Sequence, residues 1–144
     1  MIKIMLAVDG SQTAIRATHK LVETLSLYKE APQIELATVH RPVPYLGHLS
    51  SVVVSKEMVQ GYYKEEGERA LAPSAKILSD AGVPFVAQTL VGEIAHAIVH
   101  HAHEAGCATI WMGTRGMSAI PNLVLGSVAT QVLHLADMPV VLVH

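Results

Sequence analysis

The apolar residues of this 144-residue chain fall into short runs that alternate with segments of helical periodicity. Ile2 to Val8 is nearly continuous in apolar residues and ends at Asp9-Gly10, which is typical of a strand buried on both faces of a parallel sheet. After Ser11, apolar residues recur every three or four positions, which indicates a helix. This alternation restricts the chain to folds in which helices connect parallel strands.

The same alternation continues along the chain and predicts five strands and four helices. Pro73 interrupts the second helical segment and, because it lacks an amide hydrogen, is expected to kink or split that helix. The predicted strands are Ile2 to Val8, Ile34 to Val39, Val83 to Val91, Ala108 to Met112 and Met138 to Val143. The predicted helices start after Ser11, at about Lys56, at Gly92-Glu93 and at Gly126-Ser127. Right-handed crossovers then give a single doubly wound, Rossmann-like α/β domain over residues 1–144, with helices on both faces of the sheet.

The composition excludes several classes of function. Hydrophobic residues make up 51% of the chain and charged residues 15%, so the chain packs a core. No apolar run approaches the ~18 residues of a membrane span, so no membrane partner is expected. The formal net charge of -2 gives no attraction for a polyanion, so no nucleic-acid partner is expected either. The lone Cys107 and the lack of a secretory leader favour a cytoplasmic protein.

The glycines after the fourth predicted strand are the most informative motif. Gly113 and Gly116 are followed, nine residues on, by Gly126-Ser127 at the start of the last helix. Glycines allow close approach of a backbone to a ligand, and the free amides of a helix start favour an anion such as phosphate. Taken as bare spacing, the pattern is also compatible with an ordinary glycine-bearing loop.

Over essentially its whole length, the sequence resembles the universal stress protein family. The pieces that match are 7–11, 92–94, 110–116, 126–129 and 138–143. The spacing Gly113-x2-Gly116-x9-Gly126-Ser127 reproduces the glycine pattern of the ATP-binding branch of that family. The resemblance implies the strand order 3-2-1-4-5, which brings Asp9 and Gly113 to opposite sides of one crevice.

The resemblance also implies an adenine nucleotide site and the residues that form it. Backbone groups at Val39 would recognise adenine, Asp9 would lie close to the nucleotide, and the amides of the glycine segments would hold the phosphates. The implied cofactor-binding residues are Ala7, Val8, Asp9, Val39, Met112, Gly113, Arg115, Gly116, Gly126, Ser127, Val128 and Ala129. Asp9 could instead only order the turn after its strand or cap the following helix.

The resulting prediction is a protein that binds ATP with Mg²⁺ or Mn²⁺ and uses the bound state as a signal to an unknown protein partner. A homodimer is expected through Met138 to Val143, because an apolar sheet edge invites pairing with a second chain. Two alternatives remain: a dimeric interaction module without nucleotide, and a slow ATPase. The spacer of residues 117–125 contains no Lys or Arg, which leaves Arg115 as the nearby cation and weakens the phosphate prediction.

The histidines of the third predicted helix and the single cysteine are considered for chemistry other than nucleotide binding. His96, His100 and His103 share one face of the third predicted helix and could hold zinc or nickel, although a solvated helix face is the simpler interpretation. His101 falls among the apolar positions and is expected in the core or an interface with its ring hydrogen-bonded. Cys107 and Trp111 are expected to be structural residues at the buried fourth strand.

Overall fold

Five parallel strands form one sheet in the computed structural model, which describes residues 1–43, 55–116, 122 and 124–144. The strands are β1 (Lys3–Ala7), β2 (Gln33–His40), β3 (Phe85–Val91), β4 (Thr109–Gly113) and β5 (Val140–Val143). Their order is β3-β2-β1-β4-β5, and every neighbouring pair is parallel. The predicted strand order is therefore confirmed, while β1, β3 and β5 are each shorter than the apolar runs that predicted them.

Four helices cover the two faces of the sheet. They are α1 (Gln12–Thr24), α2 (Lys56–Asp80), α3 (Ile94–Glu104) and α4 (Ser127–Leu135), and one 3-10 turn (Leu25–Leu27) follows α1. The helices α1 and α2 pack on one face and α3 and α4 on the other, which confirms the doubly wound α/β fold. Within the described ranges, no helix has the length and apolar content needed to cross a bilayer.

The central strand β1 supplies side chains to both cores. Ile4, Leu6 and Val8 enter the core beneath α1 and α2, whereas Met5 and Ala7 enter the core beneath α3 and α4. All five are buried, as expected for a strand in the middle of a parallel sheet. Trp111 of β4 is buried in the first of these cores, which confirms its predicted structural role.

The helix α2 runs through Pro73 without being split, so of the two outcomes expected at this proline only a bend remains as a prediction. Pro73 is preceded and followed by several helical turns, and the next residue fixes the helix to its neighbour. The buried hydroxyls of Ser74 and Thr18 lie 2.7 Å apart and join α2 to α1. Tertiary packing on both sides of the proline therefore outweighs the loss of one backbone hydrogen bond.

The close contact between the end of β4 and the first turn of α1 requires glycine at position 113. A Cβ on Gly113 would lie 2.8 Å from the carbonyl carbon of Thr13, closer than real Cβ contacts. The Thr13 hydroxyl donates to the Arg115 carbonyl oxygen, so the two segments are also joined by a hydrogen bond. Side-chain volume at 113 would force α1 and β4 apart.

We expect Gly113→Ala to destabilise the protein by about 1–3 kcal/mol, the usual effect of overpacking. Gly61→Ala is the matched control, since Gly61 lies in α2 with open space around its Cβ position. Alanine there should stabilise the helix by up to ~1 kcal/mol. Urea unfolding of both variants measures the difference, and equal stabilities would contradict the packing argument.

Cys107 lies between α3 and β4 in the second core and is buried. Burial raises the pKa of its thiol above the ordinary value of 9.0, and the charge of Glu35 raises it further, while Lys3 acts in the opposite direction. A thiol held protonated at neutral pH is a poor nucleophile. This environment fits the structural cysteine expected from the sequence.

The raised pKa of Cys107 predicts a loss of stability in mild alkali. The unfolded chain ionises its thiol at a lower pH than the folded chain, so increasing pH favours unfolding once the ordinary pKa is passed. Between about pH 8 and pH 10, the melting temperature of the wild type should fall more steeply than that of Cys107→Ala. Parallel slopes for the two proteins in thermal melts would show that the thiol does not contribute.

Candidate functional site

A cavity of about 330 Å³ opens at the carboxyl ends of β1 and β4, where the winding of the sheet reverses. In doubly wound folds, ligands bind at this position. The structure places every cofactor-binding residue implied by the resemblance in the cavity wall: Ala7, Val8, Asp9, Val39, Met112, Gly113, Arg115, Gly116, Gly126, Ser127, Val128 and Ala129. That these residues bind a ligand remains a prediction.

Asp9 orders the turn after β1 and also faces the cavity. Its Oδ1 accepts a hydrogen bond from the Ser11 amide at 2.9 Å, and the Ser11 hydroxyl in turn caps α1 by accepting from the Ala14 amide. Gly10 between them has φ +82°, a conformation that favours glycine. The other carboxylate oxygen, Oδ2, lies 3.0 Å from the position that a Cβ on Gly116 would take. The two alternatives for Asp9 are therefore compatible with each other.

The glycine loop after β4 is fixed by three neighbouring elements. Thr114 donates its amide to the Val143 carbonyl oxygen of β5 at 2.9 Å and accepts the Gly126 amide at 2.6 Å. The Arg115 carbonyl oxygen accepts from α1 through Thr13. Thr114 and Arg115 are thus bonded to α1, to β5 and to the start of α4, which fixes the backbone of these two residues at the cavity.

The glycines of the motif make room for protein neighbours. The Gly126 Cβ position lies 3.2 Å from the Thr114 carbonyl oxygen, and that of Gly116 lies 3.0 Å from Asp9 Oδ2. Neither residue has a positive φ, so chain packing is the constraint on both. The sequence prediction that these glycines allow a ligand to approach stays untested. The structure adds a second reason for glycine at both positions, which is the close packing of neighbouring protein atoms.

The first turn of α4 presents free backbone amides to the cavity. Gly126 is the N-cap, and the first hydrogen bond inside the helix runs from the Thr130 amide to the Gly126 carbonyl oxygen. The amides of Ser127, Val128 and Ala129 therefore precede the first helical bond, as at any helix N-terminus. The Ser127 side chain is exposed at this position. Such an end attracts an anion.

Arg115 is the only Lys or Arg in the wall formed by the described residues. Its side chain is half-buried, and its Nε is buried without a hydrogen-bond partner in the described part of the chain. A buried donor without a partner is costly for a folded protein, which makes this nitrogen unusual among the described groups of the wall.

The wall also contains residues that the sequence analysis missed: Ser11, Ala14, Ala37, Ile94, Ile98 and Thr114. Three of these, Ser11, Ile94 and Thr114, lie inside motif segments that carried the resemblance and could have been included on that basis. The alanines and Ile98 carry no chemical signal in the sequence. Only the packing of α1, β2 and α3 brings them to the cavity.

A second, smaller cavity of about 170 Å³ lies on the opposite face of the sheet, between β2 and α2. It shares Asp9 and Val39 with the first cavity, and its other walls include the side chains of Thr38, His40 and Glu66. Asp9 therefore lies in the walls of both cavities.

The histidines of α3 do not form a metal site with any described residues. His96, His100 and His103 are exposed, and no group of three potential ligand residues capable of holding a metal occurs within the described ranges. His101 is half-buried as expected, with its Nε2 3.6 Å from a carboxylate oxygen of the buried Glu35. That nitrogen makes no hydrogen bond to a described residue, so the expected hydrogen-bonded ring is not found at Nε2.

Comparison with known proteins gives relatives along the whole chain. The model of the universal stress protein family matches residues 1–144. Universal stress protein YxiE of Bacillus subtilis is 32% identical, over 99% of this chain and 98% of its own. Universal stress protein MJ0531 of Methanocaldococcus jannaschii is 30% identical, over 98% of this chain and 81% of its own.

Solved structures share the fold at lower identity. The hypothetical protein MJ0577 superimposes with a TM-score of 0.77 at 23% identity, covering 99% of this chain and 94% of that protein. The universal stress protein of Archaeoglobus fulgidus in complex with dAMP has a TM-score of 0.66 at 24% identity, covering 100% of this chain and 98% of that one. An Arabidopsis thaliana family protein with AMP bound has a TM-score of 0.65 at 18% identity, with coverages of 99% and 91%.

A further universal stress protein, in complex with cAMP, has a TM-score of 0.69 at 22% identity, with coverages of 99% and 97%. The strand order, the cavity at the β1–β4 switch point and the family model that spans the sequence agree with one another. This chain belongs to the universal stress protein family.

Proposed function

We propose that the cavity at the switch point binds an adenine nucleotide and that the protein acts through its nucleotide-bound state. The observation that carries the proposal is the division of this cavity into an apolar part and an anion-binding part. Complexes of structural neighbours with AMP, dAMP and cAMP support the same ligand class.

The apolar part of the cavity suits a base. Ala37 and Val39 of β2, Ile98 of α3 and Met112 of β4 contribute to its wall, and Ile94 begins α3 beside them. An apolar recess with backbone groups at its edge favours a heteroaromatic ring. In this proposal, the base lies against β2 and α3, and backbone groups at Val39 recognise adenine.

The anion-binding part lies at the start of α4. The amides of Ser127, Val128 and Ala129 precede the first hydrogen bond inside α4, and Arg115 contributes to the same cavity wall. Together they offer hydrogen-bond donors and positive potential to a phosphate group. Asp9 lies beside Gly116, and in this proposal its carboxylate accepts from ribose hydroxyl groups.

Among adenine nucleotides, the glycine motif favours ATP, bound with Mg²⁺ or Mn²⁺. A divalent cation would be held mainly by the phosphates of the nucleotide, because Mg²⁺ commonly combines one or two carboxylates with substrate phosphates. Asp9 is the carboxylate of the wall that could contribute. The role of the bound state would then be a signal read by a protein partner.

We expect Ser127→Ala to weaken adenine nucleotide binding by about tenfold to a hundredfold, because one hydrogen bond to a charged group is lost. Isothermal titration with ATP and Mg²⁺, and with AMP, measures the effect. Ser79→Ala is the control, since Ser79 is an exposed serine in the last turn of α2.

In the wild type, ligand at about 100 times its dissociation constant should stabilise the fold by about 2.7 kcal/mol. Gly126→Val is a poorer test than Ser127→Ala, since any Cβ at 126 presses on the Thr114 carbonyl and strains the protein itself. Wild-type protein that shows neither heat of binding nor a melting shift with any adenine nucleotide would favour the nucleotide-free interaction module instead.

We also propose that the protein forms a homodimer through β5 and its flanks, Met138 to Val143. The strand β5 is an edge of the sheet, and all of its residues are only half-buried. On the preceding helix, Leu133 and Leu135 are exposed apolar side chains. An apolar edge of this kind is a usual site of pairing between chains.

Sedimentation equilibrium of the unmodified chain should give the mass of a dimer at micromolar concentration. Substitution of Val141 by lysine is a less direct test, because this side chain also packs against the core beneath α1. A monomer whose mass does not change with concentration would contradict the proposed assembly.

A further inference from the structure

We infer that β3 is a further interaction surface, at which a second copy of this chain adds its own β3 in antiparallel orientation. The inference is independent of nucleotide binding and concerns the edge of the sheet opposite β5. The strand β3 ends the sheet there, since β2 is its one neighbouring strand among the described residues. An edge strand presents backbone donors and acceptors to which another strand can pair.

The backbone bonds between β2 and β3 show which groups of β3 point outward. The Gly92 amide, directly after β3, donates to the His40 carbonyl oxygen of β2 at 3.0 Å. Successive residues of a strand direct their amide and carbonyl groups to alternate sides, so the even-numbered residues of β3 are those bonded to β2. The odd-numbered residues direct theirs away from the sheet, and no described residue forms a backbone hydrogen bond with them on that side. These residues are Phe85, Ala87, Thr89 and Val91.

The strand β3 also lacks the features that protect a sheet edge. Its sequence, FVAQTLV, contains no charged residue and no proline. Val86 and Val91 are apolar, yet they are 44% and 46% exposed. Edge strands that stay unpaired are commonly very short or carry lysine, proline or a bulge. With seven residues, β3 is longer than the four-residue strand β5 at the other edge, so a partner strand has more backbone to bond.

The sequence of β3 is complementary to itself about a two-fold axis through Gln88. In an antiparallel pair centred on this axis, the residues before Gln88 lie opposite those after it. Each outward-directed residue then meets another outward-directed residue, which is the arrangement of the hydrogen-bonded pairs in an antiparallel ladder. The pairs are Phe85 with Val91, Val86 with Leu90, Ala87 with Thr89 and Gln88 with itself.

The charge of β3 favours a second copy over a charged peptide as the occupant of this edge. Apolar and β-branched side chains on neighbouring strands stabilise each other, whereas like charges directly opposite are destabilising. The two-fold arrangement opposes no like charges, because the strand carries none. A charged peptide would find no opposite charge on β3. An identical strand matches both its neutral character and its register, and a two-fold interface closes on itself.

The size of the interface sets the expected strength of association. Seven residues at ~3.3 Å each give about 23 Å of paired edge. Stable interfaces commonly bury about 1,600 Å² in total, and a single strand pair covers only a small part of such an area. We therefore expect a reversible association that depends on protein concentration.

Sedimentation of the full chain between about 1 and 500 µM tests the inference. The mean mass of the wild type should rise about twofold over this range, as expected when one two-fold interface forms. Gln88→Lys should abolish the rise, because it places two ammonium groups opposite each other at the axis. Gln88→Glu should do the same with two carboxylates. An equal mixture of the two variants should associate again, since opposite charges then meet.

Gln60→Lys and Gln60→Glu are the matched controls, because Gln60 is an exposed glutamine of α2 outside the paired strand. The mixture also separates loss of the interface from loss of the fold, since unfolded variants would not regain association on mixing. A wild-type mass that stays constant, or Gln88 variants that associate as the wild type does, would overturn the inference. Pairing through β5 alone would give the second of these results.

Discussion

The end of β4 and the first turn of α1 approach so closely that no side chain fits between Gly113 and Thr13. β1 and β4 are adjacent and parallel, but the chain leaves them toward opposite faces of the sheet, which opens a crevice between the two exits. The Gly113 contact limits the width of that crevice on one side. The hydrogen bond from the Thr13 hydroxyl to the Arg115 carbonyl oxygen then fixes the backbone at the start of the glycine loop. The position of every group proposed to meet a phosphate depends on this approach.

Much of the fold could be predicted because the apolar pattern and the turn residues indicate the same strands and helices. The buried run of β1 and the alternation with helical segments were sufficient for a parallel, doubly wound sheet. Its strand order came from the family resemblance, since periodicity alone does not say which strands are neighbours. At Pro73 the helix is not split, because packing that includes the buried pair of Ser74 and Thr18 outweighs the local preference of proline. The helix α3 begins at Ile94, directly after the Gly92-Glu93 pair that predicted its start.

The residues of the candidate site could be predicted where they carry a motif and not where they only provide surface. Asp9, Arg115 and Ser127 were identified because they lie in motif segments that carry the family resemblance. Ala14, Ala37 and Ile98 were not, because an alanine or isoleucine that faces a cavity looks in sequence like one that faces the core. The roles of the glycines became clear only from the structure. A glycine that makes room for protein atoms and a glycine that makes room for a ligand look the same in sequence. Spacing alone contained no information about the unpartnered Nε of Arg115.

The edge strand β5 is bonded to Thr114, at the start of the glycine loop. The Val143 carbonyl oxygen accepts the Thr114 amide, and the ring of His144 lies 3.3 Å from the Thr114 hydroxyl through its Nδ1. A polypeptide fused after His144 would therefore emerge beside the loop and could displace it or block the cavity mouth. Met1 is 90% exposed and precedes β1 at the opposite end of the sheet. Affinity handles, fluorescent reporters and surface attachments are therefore best placed before Met1, where they leave the loop free.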